Sequence, residues 1–203
     1  MKITPFTVGQ MSTNCYLVSD EATGQSLIID PGDEGDFIGT TLLENKLIPV
    51  GIVLTHGHFD HCLAVLELKL SFNIPIYLHQ KDLFLYQKAQ LSAKHWSAIS
   101  SPKLPPIDKF LSEGEIIPFG KSSLKVIHTP GHTPGSICLY SAPTLFTGDT
   151  LFAEGVGRTD LSYSSSDDLQ KSLKKLFALP SNTLIYSGHE NTPVFLSDLT
   201  HPD

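Results

Sequence analysis

Apolar residues along the chain fall into short runs broken by turn-forming clusters. Within residues 1–30 the runs Cys15-Tyr16-Leu17-Val18 and Ser26-Leu27-Ile28-Ile29-Asp30 predict antiparallel strands on either side of the turn Asp20-Glu21-Ala22-Thr23-Gly24. Pro31-Gly32 stops the second run. Asp33 is placed to cap a following helix, in which Phe37, Ile38, Thr41 and Leu42 share one face. Val50 to Leu54 predicts a buried strand, and a helix from about His61 aligns Leu63, Leu66 and Leu70. Ile74 to Leu78 predicts another strand, with a helix from Lys81 towards Trp96. The proline-rich stretch Ser100 to Pro106 is the longest loop, either a connector or a lid. Strands resume at 124–127, 136–140 and 145–147. The clearest helix follows Ser166, with Asp167 and Asp168 in its first turn, Lys174 and Lys175 late, and the stripe Leu169, Leu173, Leu176, Phe177. Pro180 ends it, and Thr183 to Tyr186 is the last strand. Hairpins mixed with strand–helix units predict an α+β fold of two sheets with helices outside.

Composition narrows the class. With 203 residues, 40% of them hydrophobic and 17% charged, the chain can bury a core, which excludes disorder and coiled coil. No linker composition divides it, so residues 1–203 read as one domain. The longest uncharged apolar stretch, Leu47 to Leu54, is too short for a membrane span. The start Met1-Lys2-Ile3-Thr4-Pro5 lacks a signal-peptide core, which makes the cytoplasm the expected location. A formal charge of −7 argues against nucleic acid as a partner. Cys15, Cys62 and Cys138 form no C-x-x-C pair and read as buried reduced thiols.

The nine histidines matter by position. His56-Gly57-His58-Phe59-Asp60-His61 packs three imidazoles and a carboxylate into six positions directly after a strand. Nitrogen and oxygen donors of this kind suit zinc, iron or manganese, and no cysteine cluster points to a closed structural zinc. Gly57 lets the backbone turn so that His56 and His58 can face one ion. Three more candidates follow strands and directly follow a glycine: His132 after Gly131, Asp149 after Gly148, and His189 after Gly188.

Asp30-Pro31-Gly32, His56 to His61, Gly131-His132, Gly148-Asp149 and Gly188-His189 together resemble the metallo-β-lactamase superfamily in order and spacing. The resemblance implies a four-layer αβ/βα sandwich with a dinuclear site at one edge. It implies that His56, His58 and His132 hold one divalent ion, that Asp60, His61 and His189 hold a second, and that Asp149 bridges them. Zinc is the first choice of metal, with iron or manganese as alternatives. Gly157-Arg158-Thr159-Asp160 makes the chain similar to the short glyoxalase II-like hydrolases and their sulfur-dioxygenase relatives. The implied reaction is hydrolysis of small hydroxyacyl thioesters, with Asp60 and Asp149 catalytic. Two ions would share a water and lower its pKa towards 7. Persulfide dioxygenation at a single iron, or ester or lactone hydrolysis, are the alternatives. Residues 153–158 lack the lysine-and-tyrosine loop of full-length glyoxalase II, and the residues after His189 are too few for its helical C-terminal domain. Glutathione is therefore not the expected thiol, and the metal cleft is expected to be open.

Other residues keep two readings. Arg158 either binds a substrate carboxylate or pairs with Asp160. His128, four residues before His132, either competes with it as a ligand or is a structural neighbour of the site, the latter being the expectation, and Asp30 reads as an outer partner of a ligand. Cys62, although it abuts His61, reads as core. His79, His95 and His201 carry no motif.

Overall fold

The computed structural model describes residues 1–190 and 193–199. His201 lies outside the described residues. The first sheet comprises β1 (Lys2–Val8), β2 (Thr13–Ser19), β3 (Gln25–Ile29), β4 (Ile48–Val53), β5 (Ile76–His79) and β6 (Lys109–Leu111), paired in that order. Its first two pairings are antiparallel and the rest parallel. Helices α1 (Gly35–Glu44), α2 (Val65–Phe72) and α3 (Leu83–Ser97) lie within it in sequence. The second sheet comprises β7 (Ile116–Phe119), β8 (Ser122–His128), β9 (Ile137–Ser141), β10 (Thr144–Gly148), β11 (Leu184–Ser187) and β12 (Val194–Phe195). Only β10 and β11 run parallel, joined across α4 (Ser166–Phe177).

Strand alternation builds the layers. In β2, Cys15 and Leu17 face one core while Tyr16 and Val18 face another. Ile28 and Ile52 join the first core, which holds α1, α2 and α3 residues such as Ile38, Leu42, Leu68 and Ala89. Leu27, Ile29 and Val53 join the second core, opposite Leu124, Val126, Leu139 and Phe146 of the other sheet. The outer face of that sheet, through Cys138, Leu145 and Ile185, packs on Leu169, Leu173 and Leu176 of α4. Three cores thus separate four layers: helices, sheet, sheet, helix. The two sheets with helices outside that the element order predicts, and the four-layer sandwich that the family resemblance implies, are the observed α+β fold.

Several local expectations change. The α1 turn begins at Glu34 in a left-handed conformation, without a side-chain cap, and Asp33 accepts only from the adjacent Glu34 N–H at 2.8 Å. Its buried face is Gly35, Ile38, Gly39 and Leu42, and Phe37 lies exposed against the edge of Phe6. A 3-10 turn at Phe59–His61 delays α2, shifting its phase so that Val65 and Leu68 are buried and Leu70 is 76% exposed. Leu63 of the expected stripe still packs on the first core, while Val65 and Leu68 take the buried face in place of Leu66 and Leu70. The short edge strands β6, β7 and β12 gave no clear run in the sequence. The loop 100–106 is fastened along α3: Tyr86 Oη donates to Pro105 O at 2.9 Å and Gln90 Nε2 to Ser101 O at 2.7 Å. Leu104 and Ile107 pack on the first core. A cavity of about 490 Å³ lies between α3 and residues 103–107, lined by none of the seven candidate ligands. The loop acts as a connector. No helix among the described residues is long and apolar enough to cross a membrane.

Candidate metal centre

All seven candidate ligands gather at one edge of the sandwich, at or just beyond the ends of β4, β8, β10 and β11. Gly148 has φ +49, a left-handed turn that L side chains rarely adopt, and it swings Asp149 off β10. Gly188 serves by its lack of a side chain, because a β-carbon there would run into Asp149 Oδ1. Gly57 also supplies space rather than a left-handed turn: its β-carbon would meet Leu85 Cβ at 2.9 Å and Tyr86 N at 3.0 Å.

Two trios converge. His56 Nε2 and His132 Nε2 stand 3.0 and 3.1 Å from His58 Nδ1. Asp60 Oδ2 stands 3.7 Å from His61 Nε2 and 3.4 Å from His189 Nε2. Asp149 lies between them, with Oδ2 3.6 Å from both His132 Nε2 and His189 Nε2, and Oδ1 3.4 Å from His61 Nε2.

Outer partners orient the imidazoles. His61 Nδ1 meets Asp30 Oδ2 at 3.0 Å, His132 Nδ1 meets Arg158 O at 3.0 Å, and His189 Nδ1 meets Ser12 O at 3.4 Å. Each of these partners is an acceptor, so the ring donates from Nδ1 and leaves Nε2 facing inward. Thr55 Oγ1 donates to Asp30 Oδ2 at 2.6 Å and thus receives the His56 Nδ1 proton at 3.1 Å. His58 is reversed: Nδ1 points inward and Nε2 meets Tyr163 Oη at 2.8 Å.

The residues fit metal. Nitrogens around a tetrahedral zinc stand about 3.3 Å apart, given Zn–N of about 2.0–2.1 Å. The histidine trio already has contacts of 3.0 and 3.1 Å. His61 Nε2 and Asp149 Oδ1 are buried without a hydrogen-bond partner. Native proteins rarely tolerate such orphans without a ligand to satisfy them. The chain therefore carries a histidine- and aspartate-rich centre for divalent metal.

Electrostatics divides the trios. Burial pulls His58 down to about 4, helped by the neighbouring His132 ring. Burial, with the facing imidazoles of His61 and His58, holds His56 well below its ordinary value. Burial also opposes charge on His61, but Asp149, Asp60 and Asp30 outweigh it and push that ring up to about 10. Burial raises Asp60, yet His61 and His189 hold it far below the usual carboxylate range. His189 is raised despite burial, through its bond to Asp60 and the charge of Asp149.

Of the residues with two readings, Arg158 gives its guanidinium to Asp160 through two bonds of 2.7 Å, both groups being mostly exposed. Only its backbone carbonyl serves the cluster. This is the ion-pair reading, and the expectation of a substrate-binding guanidinium gains no support from the geometry. His128 stays outside, stacked on His79 at 4.2 Å and bonded through Nε2 to Pro134 O at 3.0 Å. Cys62 is fully buried in the first core, and Cys15 and Cys138 are likewise buried and unpaired. Asp30 is the outer partner expected of it.

Three contributors escaped the sequence. Asp82, buried just before α3, accepts from Gly57 N at 2.9 Å, Gly135 N at 2.6 Å and Thr133 Oγ1 at 2.6 Å. It staples the loop carrying His56 and His58 to the loop carrying His132. Thr55 was visible as a neighbour of His56 but not as the relay to Asp30. Tyr163 sits in an irregular segment with no local signal at all.

The comparisons agree with this geometry. A sequence model described as the Metallo-beta-lactamase superfamily matches residues 8–189. A "Probable metallo-hydrolase YqgX" of Bacillus subtilis is 38% identical, the match covering 93% of this chain and 90% of that protein. "Hydroxyacylglutathione hydrolase GloC" of Haemophilus influenzae is 35% identical, with 93% and 90% covered. Among solved structures, the BLEG-1 B3 metallo-beta-lactamase superposes with TM-score 0.89 at 32% identity, covering 97% of this chain and 95% of that one. TTHA1623 in a di-iron-bound form superposes with TM-score 0.87 at 38% identity, covering 96% of each chain. Ligand order, four-layer architecture and near full-length matches converge on one conclusion: the chain belongs to the metallo-beta-lactamase superfamily.

Proposed function

We propose that the protein is a metal-dependent hydrolase of small hydroxyacyl thioesters, holding two divalent cations, zinc in the first instance. The observation that carries this reading is the completeness of both trios with Asp149 between them. In this reading His56, His58 and His132 hold one cation, Asp60, His61 and His189 the other, and Asp149 spans the two. Such cations supply Lewis acidity that brings a water's pKa towards neutrality. The chain's residues do the rest. Asp60, kept ionised between His61 and His189, orients the attacking water by accepting a hydrogen bond from it, and the proton the water loses passes through solvent. The water oxygen bonds to the carbonyl carbon, the carbon–sulfur bond breaks, and the sulfur leaves with the electron pair and then takes up the proton. The products are a carboxylic acid and a thiol. The three buried cysteines, their thiols raised by burial, take no part as nucleophiles.

The Haemophilus influenzae relative carries the name hydroxyacylglutathione hydrolase at a similar length, which supports testing glutathione as the thiol alongside smaller carriers. The test is anaerobic release of thiol by zinc-loaded protein from a panel of hydroxyacyl thioesters, with a lactone and a β-lactam as controls. Oxygen-independent release with zinc is expected. Activity that appears only with iron, consuming oxygen on a persulfide, would make the protein a dioxygenase; turnover of the controls alone would reassign the electrophile.

A further inference from the structure

The turn between β1 and β2 reaches the second trio with three consecutive residues. Ser12 O receives His189 Nδ1 at 3.4 Å, and Thr13 Oγ1 donates to Asp60 Oδ2 at 3.4 Å. Asn14 takes hold of the backbone on both sides of His189. Its main-chain N–H donates to Gly188 O at 2.7 Å, and its side-chain Nδ2 donates to Ser187 O at 3.1 Å and to Glu190 O at 2.9 Å. The carbonyls of residues 187, 188 and 190 thus all accept from one residue, and that of His189 accepts from Ser187 Oγ. The first trio is oriented from elsewhere: His56 by Thr55, His58 by Tyr163 and His132 by Arg158 O.

The chemistry of the contact dictates the residue type. Both partners of the Asn14 amide nitrogen are carbonyl oxygens, so the NH2 end must face them, and Oδ1 turns away to accept from Thr7 Oγ1 at 3.3 Å. Packing contributes least to this ligand, because the His189 side chain is 25% exposed whereas that of His61 is fully buried. Backbone on both sides of the contact is held in a costly conformation: Ser12 has φ +55 and Glu190 φ +71, the left-handed region that residues other than glycine seldom enter. Such positions persist where the surroundings over-determine them, and they gather at ligand sites.

We propose that Asn14 is a positioning residue for the second metal position, acting through His189 and setting how tightly that position holds its ion while leaving the first unchanged. This rests on the two-cation reading above and gives the β1–β2 turn a part in it. Without the amide, only Gly188 O stays tied to Asn14, by the main chain. The ring of His189 is then free to swing away from Asp60 and Asp149, which it now meets at 3.4 and 3.6 Å. Ser12 O, one hydrogen bond from the ring, cannot hold it against that movement alone.

The test is stepwise binding of zinc to metal-free protein, followed by competition with a chelating dye, which requires no turnover. The ion that His189→Ala removes identifies the second position. Asn14→Leu keeps the approximate volume and removes both side-chain bonds. Asn14→Asp keeps the shape and adds a charge that by itself would draw a cation, so weaker binding there reports geometry; it also decides the matter should Asn14→Leu fail to fold. Leu42→Ala, a cavity in the first core, controls for lost stability. Both Asn14 variants are expected to weaken the second ion about 10–100-fold and leave the first, as Leu42→Ala leaves both. With His189→Ala in place, neither Asn14 change should weaken the remaining ion further, as for residues acting as one unit. Equal weakening of both ions, further loss behind His189→Ala, unaltered binding in Asn14→Asp, or a matching fall in Leu42→Ala would each overturn the proposal. A parent holding one ion per chain would bring down the two-cation reading instead. Asn14 then keeps its role if that ion is lost in His189→Ala and weakened in Asn14→Asp, and loses it otherwise.

Discussion

The two trios use similar donors in opposite electrostatic settings. His56, His58 and His132 are imidazoles only; burial and their neighbours keep the first two neutral, and their contacts leave inward lone pairs. Asp60, His61 and His189 contain a carboxylate, lie closer to Asp30, and keep the proton on His61 to high pH. The scaffolds differ as well. Asp82 ties the loops of the first trio through backbone N–H groups, whereas Asp30 holds the second by direct contact with His61 and reaches His56 only through Thr55. Ligand chemistry alone would make the trios near equivalents; the surrounding carboxylates make one a neutral nest and the other a charged one.

The sharpest way to break the comparison is to remove what the trios share. Asp149 reaches His132 and His189 through one oxygen and His61 through the other. Asp149→Ala is expected to cost most of the bound metal at both positions, falling from two ions per chain towards none by elemental analysis after dialysis. A variant retaining two tightly held ions would show that the trios do not depend on a common carboxylate.

A smaller effect separates the scaffolds. Asp82→Ala leaves Gly57 N–H, Gly135 N–H and Thr133 Oγ1 without their acceptor, in surroundings where each buried orphan costs about 1–3 kcal/mol. Allowing for relaxation, metal-free protein should lose about 3 kcal/mol or more in urea unfolding. Chelator competition should then show the first trio weakened about 10–100-fold and the second nearly untouched. Asp30→Ala should chiefly weaken the second. If Asp82→Ala weakened both sites alike, the stapling of the two histidine loops would not be a local device.

Much of this arrangement was legible in the sequence, and the reason is local. A ligand directly after a glycine at a strand end declares itself within three residues, and the apolar runs of β2 and β3 declare buried strands. The same holds for α4, whose stripe and end charges are all within the helix; Ser165 caps it by accepting from Asp168 N at 3.2 Å. What failed was non-local. Asp82 is 25 residues from Gly57 and 53 from Gly135, and only the tertiary fold brings them together. Tyr163 is 105 residues from His58. The α2 phase depended on a 3-10 turn that propensity does not reveal, and the edge strands were too short for a period to emerge.

The finest test uses pH on the metal-free protein, where the two settings should act with opposite sign. His61 is pushed from 6.5 up to about 10 in the folded state, so its charged form contributes stability fully below pH 6.5. That contribution is lost as pH rises from 6.5 through about 10. His58 is pulled from 6.5 down to about 4, so the unfolded chain takes up its proton first. Its contribution is present above pH 6.5 and lost as pH falls from 6.5 through about 4. Metal-free protein should therefore be most stable near pH 6.5 as far as this cluster decides it, with urea midpoints declining on either side. Each arm has its own variant: His61→Gln should reduce the alkaline decline, which His189 shares, and His58→Gln the acid one, which His56 and Asp60 share. If His61→Gln instead flattened the acid arm, the second trio would be the neutral one and the contrast between the two would be inverted.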